Sequence, residues 1–246
     1  MKGGVFLRGF NFEKSILTTK QTLTHIDLAI KEGKPLSLSR FGIGELTYLF
    51  SGKIPLLVKH FERYKDYSGI TRSEETIRQE LIKALKTSDL TGLPPSFRSE
   101  FWADKTQEIL KELNYSPSLV CSAWVMHDAV LEGSFWPWIK GKRAVIVGRR
   151  STEAVPLFTQ NGVTVAGAIH LEGYEGIAQA HSGIAKLPEW DIALVSAGIP
   201  ATILVPRIAE STGKVAIDFG HALDMLMDGE RYNHLKLVDD YNSEKD

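Results

Sequence analysis

The chain has 246 residues, 43% of them hydrophobic and 24% charged, with a formal net charge of -1. That is room for one large α/β domain or two small ones, in an ordinary soluble composition, and the near-neutral balance advertises no nucleic-acid surface. The single cysteine, Cys121, excludes an internal disulfide and a cysteine-rich zinc site.

Residues 1–17 read as an irregular arm. They carry no apolar core of signal-peptide length, and no uninterrupted apolar run of about 18 residues appears anywhere, so neither a leader nor a spanning helix is expected and a cytoplasmic location is the default. From Thr18 to Lys31, Leu23, Ile26, Ala29 and Ile30 recur at helical spacing, and Glu32-Gly33-Lys34-Pro35 stops the helix. Leu36-Ser37-Leu38-Ser39 alternates as a strand does. It runs through Arg40 into Gly42-Ile43-Gly44, and a helix opens at Glu45 that is expected to end near Ser51-Gly52. The middle reads as mostly helical. Ser73 caps acidic first-turn residues ahead of Ile77, Leu81, Ile82 and Leu85, Thr87-Ser88-Asp89 closes that helix, and Leu93-Pro94-Pro95 is a loop. Glu100 to Asn114 is a second amphipathic helix, Leu119 to Ala123 a strand, and Trp124 to Trp138 an aromatic-rich segment.

From Gly141 onward short apolar runs alternate with helices. The strands are Ala144–Val147, Val163–Ile169, Asp191–Gly198 and Val215–Ile217. The helices run from Thr152 to Gln160, from Gly176 to Leu187 and from Pro200 to Thr212. This predicts a single Rossmann-like α/β domain over residues 18–229, its mostly parallel sheet covered by helices, with a helical insertion in the middle and a polar tail over 230–246.

In a parallel sheet the strand ends share one edge, where ligands sit. Gly42-Ile43-Gly44-Glu45, Gly148-Arg149-Arg150-Ser151, Ser196-Ala197-Gly198 and Asp218-Phe219-Gly220-His221 therefore converge. A glycine, two arginines and a helix N-terminus after Val147 suit a diphosphate. Asp218 could accept a sugar hydroxyl or act as a base, and His221 could donate to a phosphate. Plainer roles stand beside these. Gly148 could only close a turn, Arg149 and Arg150 could be solvated, Asp218 could cap the following helix, and His221 could be structural. Phe135-Trp136-Pro137-Trp138 reads as packing before it reads as a stacking platform, and Cys121 as a buried small hydrophobe. His127-Asp128 is set aside as an acid–base pair, since adjacent helical residues point in different directions. Missing G-x-G-x-x-G, Walker, H-E-x-x-H and G-x-S-x-G patterns argue against an NAD enzyme, a P-loop NTPase, a zinc protease and an α/β-hydrolase.

Arg40-Phe41-Gly42-Ile43-Gly44-Glu45 resembles the Arg-aromatic-Gly-Asp-Gly-Glu corner of the GT-D-fold glycosyltransferases. Asp191 to Ala201 and Val215 to Asp224 resemble that family's later strand-to-helix turns, so the likeness spans about Ser37 to Asp224. The resemblance implies transfer of a sugar from a nucleotide-sugar donor, UDP-linked foremost, to a glycan or glycoprotein acceptor in surface or protein glycan assembly, by a protein that could be a homo-oligomer. Taken together with the strand-end residues above, it assigns catalytic roles to Glu45, Asp218 and His221, and donor contacts to Arg40, Gly42, Gly44, Gly148, Arg149, Ser196 and Gly198. The family's Asp-x-Glu motif holds a divalent cation, Mg2+ or Mn2+, on the donor diphosphate. Here Ile43 stands at the Asp position and Glu45 alone remains as a ligand, so metal dependence is expected to be weak or absent. A silent donor-binding or scaffold domain is the main alternative, and a Rossmann-like methyltransferase a more distant one.

Overall fold

A computed structural model describes residues 3–5, 9–50, 74–229 and 232. The apolar runs become strands of one eight-stranded sheet whose neighbours all pair in parallel, in the order β2-β6-β4-β3-β10-β9-β7-β8. These strands are β2 (Ile16–Leu17), β3 (Leu36–Arg40), β4 (Leu90–Leu93), β6 (Leu119–Ser122), β7 (Arg143–Gly148), β8 (Thr164–Ile169), β9 (Ile192–Ser196) and β10 (Val215–Asp218). A separate antiparallel pair joins β1 (Gly3–Val5) to β5 (Tyr115–Pro117). Residues 3–5 and 16–17, inside the segment expected to be irregular, are thus strands.

Alternate strand residues feed two cores. Val145, Val147, Ala193 and Val195 pack against helices α2 (Ile43–Leu49), α3 (Glu74–Thr87), α4 (Glu100–Glu112), α8 (Ile177–Ala185) and α9 (Ile199–Thr212). Ala144, Ile146, Ile192 and Leu194 pack against α1 (Thr19–Glu32), α5 (Val125–Leu131), α6 (Phe135–Ile139), α7 (Ser151–Gln160) and α10 (Ala222–Asp228). A strand covered on both faces has no polar side, which is why these runs are continuously apolar. Phe135 and Trp138 are buried, so that aromatic group is core. Among the described residues no helix is long and apolar enough to cross a membrane.

Most helix bounds lie where the sequence signals put them. Thr18 and Gln21 form a capping box on α1, and Gly33 ends it. Two expectations are corrected. The helix after β3 starts at Ile43 rather than Glu45, with Gly42 as its N-cap, so Glu45 sits in its first turn. The middle is not simply helical: Leu90–Leu93 is an inner strand between β3 and β6. Four residues containing a glycine carry too little periodicity to announce a strand. Gly92 is there because a Cβ would lie 3.1 Å from Cγ of Arg40. Helix α2 ends at Leu49 with Phe50 as its C-cap, just before the expected Ser51-Gly52. The expected cap at Ser73 lies outside the described residues, as does nearly all of the tail.

Adjacent strands β3 and β10 send their chains to opposite layers, β3 into α2 and β10 into α10. The chains part there at the carboxyl ends of the strands, the switch point at which ligands bind in such sheets.

Candidate functional site

Arg40 ends β3 at this switch point. Its Nη2 donates to Oδ1 of Asp218, the last residue of β10, at 3.0 Å. Its Nη1 donates to the carbonyl of Ala123 at 3.0 Å and approaches Nδ1 of His127 on α5 at 3.3 Å. A guanidinium only donates, so Nδ1 of His127 accepts and the imidazole proton sits on Nε2. The Arg40 and Asp218 side chains are only 12% and 3% exposed, an ion pair largely removed from water.

Gly220 makes room for this pair. Its φ is +52°, and a Cβ there would fall 1.6 Å from Nη2 of Arg40. The turn after β10 therefore accepts no side chain at this point.

Glu45 and Asp218 meet through Thr202 of α9. The Thr202 hydroxyl lies 3.0 Å from Oδ2 of Asp218, 3.1 Å from the Arg40 carbonyl and 3.4 Å from Oε1 of Glu45. It has one proton to give and three acceptors around it. Desolvation, with the Asp218 charge second, pushes the Glu45 carboxyl up to about 7. A proton held on Glu45 completes the third contact. The result is an acid poised to change state near neutrality, beside the Arg40–Asp218 ion pair.

The expected residues gather along one edge, though not all at one point. Arg40, Gly42, Glu45 and Asp218 form the centre. Gly44 lies in the first turn of α2. His221 is the residue before α10, its ring 6.4 Å from that of His127 and 6.3 Å from Tyr232. Asp218 does not cap α10; it is held by Arg40 and Thr202. Gly148 and Ser196 are register partners at the ends of β7 and β9, three and two strands from β3. A Cβ on Gly148 would come 2.4 Å from the Ser196 carbonyl, so this glycine permits the strands' close approach. Gly198 is the N-cap of α9. Arg149 is 69% exposed, with Glu172 at 3.9 Å. Arg150 is committed elsewhere: its guanidinium donates to Asp224 and Asp228 of α10 and to Glu153.

Three participants were not anticipated. His127 was set aside with Asp128, and the two do point apart. His127 reaches Arg40, while Asp128 accepts from Nη2 of Arg98 at 2.7 Å. Thr202 and Gly220 were not singled out. Pro200, near the start of α9, was a signal that Thr202 belongs to a first turn. Nothing local marks His127, which meets Arg40 across 87 positions of sequence.

A divalent cation does not fit these residues. Magnesium and manganese want several hard oxygens. Ile43 is 8% exposed and packed into the core, offering no ligand. Asp218 already faces a guanidinium, and Glu45 holds its proton close to neutrality. Among the described residues, no group of three or more His, Cys, Asp or Glu side chains is arranged to hold a metal.

The model of a family described as the GT-D fold-like domain matches residues 17–226. Solved structures resemble the chain over most of its length. One, described as showing that the highly conserved domain of unknown function 1792 has a distinct glycosyltransferase fold, aligns with a TM-score of 0.63 at 17% identity, covering 90% of this chain and 86% of that one. Another, described as a new glycosyltransferase (DUF1792) from Streptococcus sanguinis, gives 0.61 at 16% identity, covering 89% and 86%. At these identities the likeness is one of fold. No curated protein matches the chain.

Proposed function

Because this chain belongs to the GT-D-like family, we propose that it is a glycosyltransferase working from a nucleotide-sugar donor, UDP-linked foremost, with a glycan or glycoprotein as acceptor. Surface or protein glycan assembly in the cytoplasm is the setting that suits such a protein.

The observation that carries the reading is the meeting of Glu45, Thr202, Asp218 and Arg40 where β3 and β10 part. Sugar transfer breaks the bond from the anomeric carbon to a diphosphate oxygen, and that oxygen leaves with the electron pair. The acceptor oxygen bonds to the anomeric carbon and its proton goes to a base. Glu45 has the proton affinity for that base or for a hydroxyl contact. The leaving charge calls for fixed donors. Arg149, the Gly148 and Gly198 turns with Ser196 between them, and the N-terminus of the long helix α9 supply donors on one side, and Arg40 and His221 on the other. Gly42 and Gly44 let backbone reach the donor closely. With Ile43 apolar, these groups carry the charge in place of a cation, and transfer is weakly dependent on metal or independent of it.

A panel of nucleotide sugars, assayed for hydrolysis and transfer with and without EDTA, tests this. Turnover that survives EDTA and falls at least tenfold in Glu45→Gln is the expected result, a loss of the size a general base contributes. No turnover on any donor overturns it. The second reading, a silent donor-binding domain, is favoured by Ile43. It predicts calorimetric binding of UDP or GDP with no turnover, whereas heat with S-adenosylmethionine alone would point to methyl transfer.

A further inference from the structure

We propose that Phe97 is a stacking platform for a sugar ring of the acceptor, at the β4 side of the central ion pair and opposite the glycine-bearing turns of β7 and β9; this rests on the glycosyl-transfer reading. Phe97 lies in the loop from β4 to α4 and is 73% exposed. Burying such a ring would stabilise the fold, and this loop forgoes that gain.

The exposure does not come from slack in the chain. On one side Ser96 donates its backbone N–H to Glu13 at 2.9 Å and its hydroxyl to the same carboxylate. On the other, Arg98 N and Ser99 N donate to the Pro95 carbonyl at 3.0 and 3.2 Å, and Ser99 caps α4. The Arg98 guanidinium lies 5.8 Å from the Phe97 ring centroid and is held by Asp128 at 2.7 Å. One side of the aromatic is thus backed by a fixed cation, while most of the ring faces water. A rigid ring presented in this way loses little entropy when a partner stacks on it.

Its position selects the partner. Asp128 adjoins His127, which touches Arg40, so the platform and the central ion pair hang from the same turn of α5. The diphosphate-compatible turns of β7 and β9 lie on the far side of that pair in the strand order. In an in-line, inverting transfer the donor diphosphate and the acceptor reach the reacting carbon from opposite sides. With the donor on the glycine turns, the β4 end is left to the acceptor. An aromatic face suits the C–H face of a pyranose, and the Arg98 and Asp128 heads stand beside it for hydroxyls.

Saturation-transfer NMR with the methyl glycosides of glucose, galactose, N-acetylglucosamine and N-acetylgalactosamine, beside calorimetry with UDP and GDP, tests the proposal. The expected result is saccharide binding about tenfold weaker in Phe97→Ala, as for one lost stacking contact, and retained in Phe97→Trp, with nucleotide affinity unchanged in both. Three results overturn it: no glycoside binding by the native protein, equal glycoside binding in Phe97→Ala, or a tenfold loss of nucleotide binding instead, which would make Phe97 a base platform. Glycoside binding that depends on Phe97 in a protein taking up neither nucleotide would keep the platform and sink the donor reading.

Discussion

Two residues set the character of the centre, and each gives a measurable outcome. Glu45 is protonated in the fold at pH values where the unfolded chain has already ionised it. Its folded pKa of about 7 lies above the ordinary 4.5, so the unfolded state binds fewer protons between those values and stability falls as pH rises through that window. The loss is at most about 3 kcal/mol, and less to the extent that water reaches the carboxyl. Glu45→Gln should therefore gain melting temperature over the native protein at pH 8 and gain little at pH 4.5; an equal shift at both would refute the raised pKa. Gly220→Ala places a methyl on Arg40. The guanidinium must leave Asp218, and a buried charge left alone costs about 3 kcal/mol or more. Denaturant midpoints at pH 7 should show it, and Arg40→Met combined with Gly220→Ala should cost less than the two single changes added, since both remove the same pair.

At the scale of elements, Arg150 joins the start of α7 to α10 through Asp224 and Asp228, and hydrogen bonds to Glu153 first, then to Asp228 and Asp224, push its guanidinium pKa up. Arg150→Ala leaves those carboxylates facing one another and should cost about 2 kcal/mol, less in high salt. Asp228→Asn in the same background should recover part of that loss in thermal melts. Elements were also where sequence reading divided. Long runs announced themselves: α1 by its capping box and Gly33, and β7, β9 and β10 by unbroken apolar residues ended by Gly148, Ser196 and Asp218. Strand β4 did not, because LTGL is short and its glycine serves the neighbouring Arg40 rather than its own strand. Arg40, Glu45 and Asp218 could be placed on one edge from chain order alone. That Asp218 would be claimed by Arg40, and that His127 would come from α5 to meet it, depends on side-chain reach across three layers, which no local pattern encodes.

For the molecule as a whole, the apolar Ile43, buried at the start of α2, is the feature most open to experiment. Ile43→Asp introduces an acid at a buried position, so it should lower stability by about 2 kcal/mol and recover part of that loss on adding millimolar manganese. Melting curves with and without the metal read both effects, and no recovery would mean that the corner cannot be rebuilt into a cation site. The single turn of α5 that carries His127 and Asp128 has a further consequence. One side chain steadies the ion pair and its neighbour steadies the guanidinium behind Phe97, so a ligand that tightens either grip alters what the other ligand meets. Such cross-talk is reciprocal by thermodynamic necessity: whatever factor a nucleotide imposes on saccharide affinity, the saccharide must return to the nucleotide, and His127→Ala should cut the thread between them.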